Sequence, residues 1–145
     1  MESLDISNFI SGRPGWDFIW MTFAKLISER SCDSKYKVGV VIVTEDNTQV
    51  LSIGYNGDQK GGKNKRDSHE TGKSGFIHAE VNALIKCDYN NPKKKIMYVT
   101  LSPCPICAKC IVNAGVEEVV WLEHYSDEGL EILASSGITV RNFKC

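Results

Sequence analysis

Apolar residues at Trp16, Ile19, Trp20, Phe23, Leu26 and Ile27 recur at the spacing of one helix face, predicting a helix from Trp16 to near Arg30. The rhythm then shortens. Val38 to Val43 is a β-branched run that reads as a buried strand. Asp46-Asn47 makes a turn, and Val50 to Tyr55 returns as a second strand in a hairpin with the first. Helical spacing resumes from about Ile77 to Lys86, Asn90-Asn91-Pro92 turns the chain, and Ile96 to Thr100 is a third strand. Cys104 opens a helix that ends at Gly115, a residue suited to a helix C-terminus. Val116 to Leu122 is a fourth strand, Asp127 to Ser136 a helix stopped by Gly137, and Ile138 to Val140 a last short strand. The order α-β-β-α-β-α-β-α-β predicts an α/β fold: a mixed five-stranded sheet flanked by helices in three α/β/α layers, with right-handed parallel crossovers.

Residues 56–75 follow neither period. They are polar, Gly-rich and mixed in charge, hence a loop. Structureless loops beyond ~12–15 residues are uncommon in compact domains, so the stretch reads as a functional or interface loop, with a solvated connector as the alternative.

Composition narrows the function classes. The 145 residues fit one domain, 1–145, with 1–14 as a polar lead-in. A formal net charge of −1 supplies no overall attraction for a nucleic acid polymer and favours a small substrate. No apolar run approaches the ~20 residues that span a bilayer. Met1 to Asn8 lacks the pattern of a signal peptide, so a reducing, cytoplasmic setting is expected. In that setting the clustered members of the six cysteines read as metal ligands, and the isolated Cys32, Cys87 and Cys145 as incidental thiols.

The chemistry gathers in two short segments, His78-Ala79-Glu80 and Pro103-Cys104-Pro105-Ile106-Cys107. One imidazole and two thiolates form a Zn²⁺ ligand set with the fourth coordination position open, as in catalytic rather than structural zinc sites. Both segments fall at helix starts, where backbone N–H groups and the helix dipole favour thiolates at Cys104 and Cys107. Pro105 suits a first helical turn, and a spacing of three brings the two sulfurs toward one side. Glu80, two positions from the imidazole, is placed to serve the open position as a proton carrier. Zinc lowers the pKa of a bound water toward neutrality, and that water would attack an amidine-like carbon with release of ammonia. A closed site that recruits Cys110 is the alternative, but it leaves Glu80 and Pro103 without a role. A second metal held by Cys32 and His69 lacks visible further ligands, and His124 has no assigned role.

H-x-E followed by P-C-x-x-C is a known signature of zinc nucleobase deaminases, and these two segments match it. Arg30-Ser31, Val38-Gly39, Gly54-Tyr55-Asn56-Gly57, Asn82-Ala83, Met97 to Cys104, Ala114-Gly115 and Tyr125 extend the match over roughly residues 16–143. On these residues the chain resembles deoxycytidylate (dCMP) deaminases within the cytidine deaminase-like superfamily. The resemblance implies zinc-dependent hydrolysis of dCMP to dUMP and ammonia, feeding thymidylate synthesis. It also implies activation by dCTP and inhibition by dTTP, with Mg²⁺ accompanying the triphosphate, in a homohexamer. It implies Asn56 on the deoxyribose 3′-hydroxyl, the Ala79 N–H on the base carbonyl, the Ser102 carbonyl on the amine and Tyr125 near the sugar or phosphate. Lys35, or next Lys37, would hold the 5′-phosphate. Gly61, Gly62, Asn64 and Asp67 would belong to the regulatory nucleotide site.

Overall fold

The computed structural model describes residues 12–144. Most of the lead-in, the Met1–Asn8 segment and Cys145 therefore lie outside the described residues. Nine elements follow in order: α1 (Trp16–Ser28), β1 (Gly39–Thr44), β2 (Val50–Tyr55), α2 (Ala79–Ile85), β3 (Lys95–Leu101), α3 (Pro105–Asn113), β4 (Val116–Glu123), α4 (Asp127–Ser135) and β5 (Thr139–Asn142). The sheet order is β2-β1-β3-β4-β5. β1 runs antiparallel to both β2 and β3, whereas β3, β4 and β5 run parallel. The mixed five-stranded sheet read from the sequence is the one found.

Every residue of β1 is buried. Its side chains alternate between two cores, as a strand's period of two requires. Val40 and Ile42 pack with residues of α2, α3 and α4, including Ala83, Ile111 and Leu133. Val41 and Val43 pack with Trp20, Met21 and Ala24 of α1. Helices thus cover both faces, giving the three predicted layers.

The differences from the sequence reading lie at element ends. Ile77 is not helical: it pairs with Gly57 in an isolated antiparallel bridge, and α2 begins at Ala79. α1 ends at Ser28 rather than Arg30, and β5 extends to Asn142 because it pairs with β4 through Trp121↔Asn142. Gly115 and Gly137 stand just beyond their helices at φ 82° and 86°, as expected of stop residues. Because β1 is antiparallel to both neighbours, its start lies at the same edge of the sheet as the carboxyl ends of β2 and β3. That edge carries the site.

Candidate active site

Two helix starts form the floor. His78 is the N-cap of α2 and Cys104 the N-cap of α3, both in extended backbone, with Pro105 first in the helix. α2 is held close by a residue with no side chain: a Cβ on Gly54 would stand 2.6 Å from both Ala79 O and Ala83 N. The Asn82 side-chain amide donates to Tyr55 O at 2.9 Å, tying the first turn of α2 to the end of β2. The Cys107 N–H faces Cys104 Sγ at 3.5 Å. On the other side, Ser102 Oγ accepts from the N–H groups of Tyr125 (2.6 Å) and Ser126 (3.2 Å), so the Pro103-Cys104 turn is fixed by the connection between β4 and α4.

These constraints bring three metal-binding atoms together. His78 Nδ1 lies 3.1 Å from Cys107 Sγ and 3.5 Å from Cys104 Sγ. All three ligand atoms fall within 4.8 Å of one another, and no other His, Cys, Asp or Glu joins them among the described residues. Cys110, offered by the closed-site reading, packs against the core instead. Cys32 and His69 form no such cluster. Cys104 is drawn down to about 4, chiefly by the hydrogen bond from the Cys107 thiol and also by His78. Cys107 is pushed up by its hydrogen bond to Cys104, by burial and by the charge of Glu80. The pair therefore shares one proton tightly. A divalent cation bound by His78, Cys104 and Cys107 would take the place of that proton, since thiol ligands bind metal deprotonated. Two sulfurs and one imidazole suit zinc by softness and by number, and the residues present fit it.

Glu80 is 5% exposed. Burial pushes its carboxyl up to about 7, against the pull of its own backbone N–H and of His78. A carboxyl poised near neutrality suits a group that must both take and give a proton.

Glu80, His78 and Cys104 line a cavity with Ala79, Asn56, Ser102 and Tyr125, so the structure brings most of the predicted substrate residues to one place. Ala79 is the first residue of α2, where backbone N–H groups lack helical partners. Tyr36 meets Tyr125 edge-on with ring centroids 5.9 Å apart. Asn56 is buried and heavily committed. Its Oδ1 accepts from the Val38 N–H at 2.9 Å, and its Nδ2 donates to Tyr36 O at 2.8 Å and to Asp33 Oδ2 at 3.2 Å.

Lys35 is not on this wall. Its ammonium donates to His69 O (3.2 Å) and Thr71 Oγ1 (3.3 Å), and it shares a neighbouring cavity with Lys25 and Lys37. The four residues assigned to a regulatory nucleotide divide. Gly61 and Asn64 line a separate cavity with Arg30, Lys60 and Lys86. Gly62 packs on Asp58, and the Asp67 carboxylate lies against Gly75.

The sequence reading singled out neither Asp33 nor Arg66, the latter falling within the mixed charge of the 56–75 loop. Arg66 lines the catalytic cavity together with Gly72, Ser74 and Phe76. Burial raises the Asp33 carboxyl, but the Lys35 N–H, the Arg66 guanidinium and the Tyr36 N–H outweigh it and hold the group below its usual value. Nothing local in Asn64-Lys65-Arg66-Asp67 marks such a partner; only the fold brings Asp33 to it.

A mixed sheet with an imidazole, two thiols and a buried carboxyl at one edge defines a zinc hydrolase of the deaminase class. The family model of the cytidine and deoxycytidylate deaminase zinc-binding region matches residues 14–123, and the chain belongs to that family. It is 35% identical over 150 residues to the deoxycytidylate deaminase of Homo sapiens, covering 90% of this chain and 82% of the human one. It is 35% identical over 144 residues to that of Saccharomyces cerevisiae, spanning 90% of this chain but only 46% of the yeast protein. Among solved structures, the dCMP deaminase of cyanophage S-TIM5 in complex with dCMP and dUMP matches with a TM-score of 0.77 at 30% identity, covering 92% of this chain and all of the phage chain.

Proposed function

We propose that this protein deaminates dCMP hydrolytically to dUMP and ammonia, supplying the precursor for thymidylate. The observation that carries this reading is the buried Glu80 beside a three-ligand site, in one cavity with Asn56, Ser102 and Tyr125. The deoxycytidylate names of its relatives and the phage complex support the substrate. Zinc held by His78, Cys104 and Cys107 would lower the pKa of a water, readying it to attack the aminated carbon. Glu80 accepts the proton of that water. It delivers that proton to the adjacent ring nitrogen, then takes the remaining proton from the hydroxyl now on the carbon and passes it to the departing amine. A carbon–oxygen bond forms, the carbon–nitrogen bond breaks, and ammonia leaves. The Ala79 N–H holds the base carbonyl, the Ser102 carbonyl receives the amine, Asn56 Oδ1 takes the sugar hydroxyl through its remaining lone pair, and Tyr125 closes the sugar side.

Regulation by dCTP and dTTP with Mg²⁺ is assigned to the cavity of Gly61 and Asn64, whose Arg30, Lys60 and Lys86 suit a triphosphate. A cytoplasmic homohexamer completes the reading. Ile85, 70% exposed on α2, and Val50 and Ile53 on the edge strand β2 supply apolar surface for such an assembly. No helix among the described residues is long and apolar enough to cross a membrane.

The test is ammonia release by the zinc-loaded protein with dCMP, deoxycytidine and dCTP in parallel, each with and without dCTP plus Mg²⁺ or dTTP. Turnover of dCMP, raised by dCTP and lowered by dTTP, is expected. A zinc-replete protein that leaves dCMP unchanged overturns the reading. Turnover indifferent to both triphosphates removes only the regulatory part.

A further inference from the structure

Arg66 is buried to a degree that loop arginines seldom reach. Its side chain is 5% exposed, and that of Asp33 is 3% exposed. Nε donates to Ser68 O at 3.0 Å, and Nη1 donates to both Asp33 oxygens at 2.7 and 2.8 Å. Nη2 has no partner among the described residues, yet Arg66 lines the catalytic cavity. The rest of this polar cluster is spoken for. Asp33 Oδ1 also accepts from the Lys35 N–H at 2.8 Å, and Oδ2 from Asn56 Nδ2. No buried side-chain N or O among the described residues lacks a partner, so the unengaged Nη2 keeps surface open to solvent. An acceptor on whatever enters the cavity takes the place of water there. A guanidinium locked on two of its three nitrogens is also pre-organised, losing little freedom when the third is engaged. Lys35, the cation favoured by the sequence, has an exposed ammonium strapped to His69 and Thr71.

We propose that Arg66 is the specificity-determining residue for the phosphate-bearing end of the nucleotide, donating through Nη2 to a phosphate oxygen, with Asp33 as its positioning residue. Lys35 then acts as a strap on the loop. This inference rests on the deaminase reading of the cavity. Because Asp33 cancels most of the charge of Arg66, the pair selects by the direction of one N–H group rather than by long-range attraction.

The experiment uses the full zinc-loaded chain and its Arg66→Gln, Arg66→Lys, Asp33→Asn and Lys35→Ala variants. Zinc content is checked for each, and kcat/KM is read on dCMP and on deoxycytidine. The affinities of the product dUMP and of deoxyuridine are measured alongside by calorimetry. Arg66→Gln is expected to lower the dCMP-to-deoxycytidine ratio by about 30-fold or more, the smaller end of the cost of truncating one partner of a buried charged hydrogen bond. The dUMP-to-deoxyuridine affinity ratio should fall in parallel, Asp33→Asn should lower both ratios less, and Lys35→Ala should leave both ratios where they are. Should Arg66→Gln not fold, Arg66→Lys carries the same test, since it keeps the charge and loses the fork. Equal losses on both substrates, or ratios that move with Lys35 and not with Arg66, overturn the proposal. A wild-type protein that binds dUMP in an Arg66-dependent way but does not deaminate dCMP would sink the function and leave this inference standing.

Discussion

The wall of the cavity carrying His78, Glu80 and Cys104 and the wall carrying Arg66, Gly72 and Ser74 are held by different physics. On the first, each group takes its position from a helix start, and each start is pinned to the sheet by contacts such as Gly54 against α2 and Asn82 to Tyr55. On the second there is no regular element. Arg66 is placed by Asp33, 33 residues away, and Lys35 reaches Thr71 across 36. The comparison separates two tasks. The reacting groups sit where packing resists displacement, while the groups that would distinguish substrates sit on a segment held by a few polar contacts.

Removing the proton carrier tests the first wall most sharply. Glu80→Gln should lower kcat by ~10²–10⁴-fold, the usual contribution of general acid–base catalysis, with zinc content by elemental analysis unchanged. Retained turnover would mean that Glu80 does not carry the proton. Stripping the metal with a chelator should abolish activity and open the partly exposed Cys104 to a thiol reagent, and added Zn²⁺ should reverse both.

The second wall is tested by breaking its ion pair. Asp33→Ala leaves Arg66 buried and unpaired, at an expected cost of ~3–5 kcal/mol in a denaturant titration. Because the folded carboxyl of Asp33 lies below its usual value, its contribution is complete above the unfolded value of about 4. It is lost as the pH falls through the lower folded value. The stability gap between wild type and Asp33→Asn should therefore be flat from pH 7 to about 4 and close below it; a gap that widens on acidification contradicts the assignment.

Gly54→Ala crosses from packing to site. A methyl group there meets the α2 backbone, so a loss of ~1–3 kcal/mol is expected, with weaker zinc binding as α2 lifts. The smallest effect belongs to a three-residue ion cluster remote from both walls. Arg141, itself 42% exposed, bridges Asp17 and the less exposed Glu118 at the surface, and Arg141→Ala should cost about 1 kcal/mol by thermal melting.

Legibility follows the same division. The elements were readable because each is bounded by local rules: β-branched runs for the strands, Pro105 at a helix start, Gly115 and Gly137 at helix ends. His78, Glu80, Cys104 and Cys107 were readable because their chemistry needs a fixed spacing. Ile77 was misread as helical because its pairing with Gly57 is invisible in a local window. Asp33 and Arg66 stayed hidden for a stronger reason: neither residue type nor spacing distinguishes them from solvated charges, and only the tertiary fold desolvates them together.

The Gly57–Ile77 bridge closes a neck. The two exchange both backbone hydrogen bonds, at 3.1 and 2.9 Å, so the chain between them leaves and re-enters the body at one point. Lengthening a loop whose ends already meet costs little, about 0.6 kcal/mol per doubling. Between its two buried anchors, Arg66 on Asp33 and Phe76 in the core, the loop is a segment whose exposed stretches can change length without shifting the register of β1 on β3. Substrate choice could diversify in such a segment while the hydrolytic machinery below it stays the same.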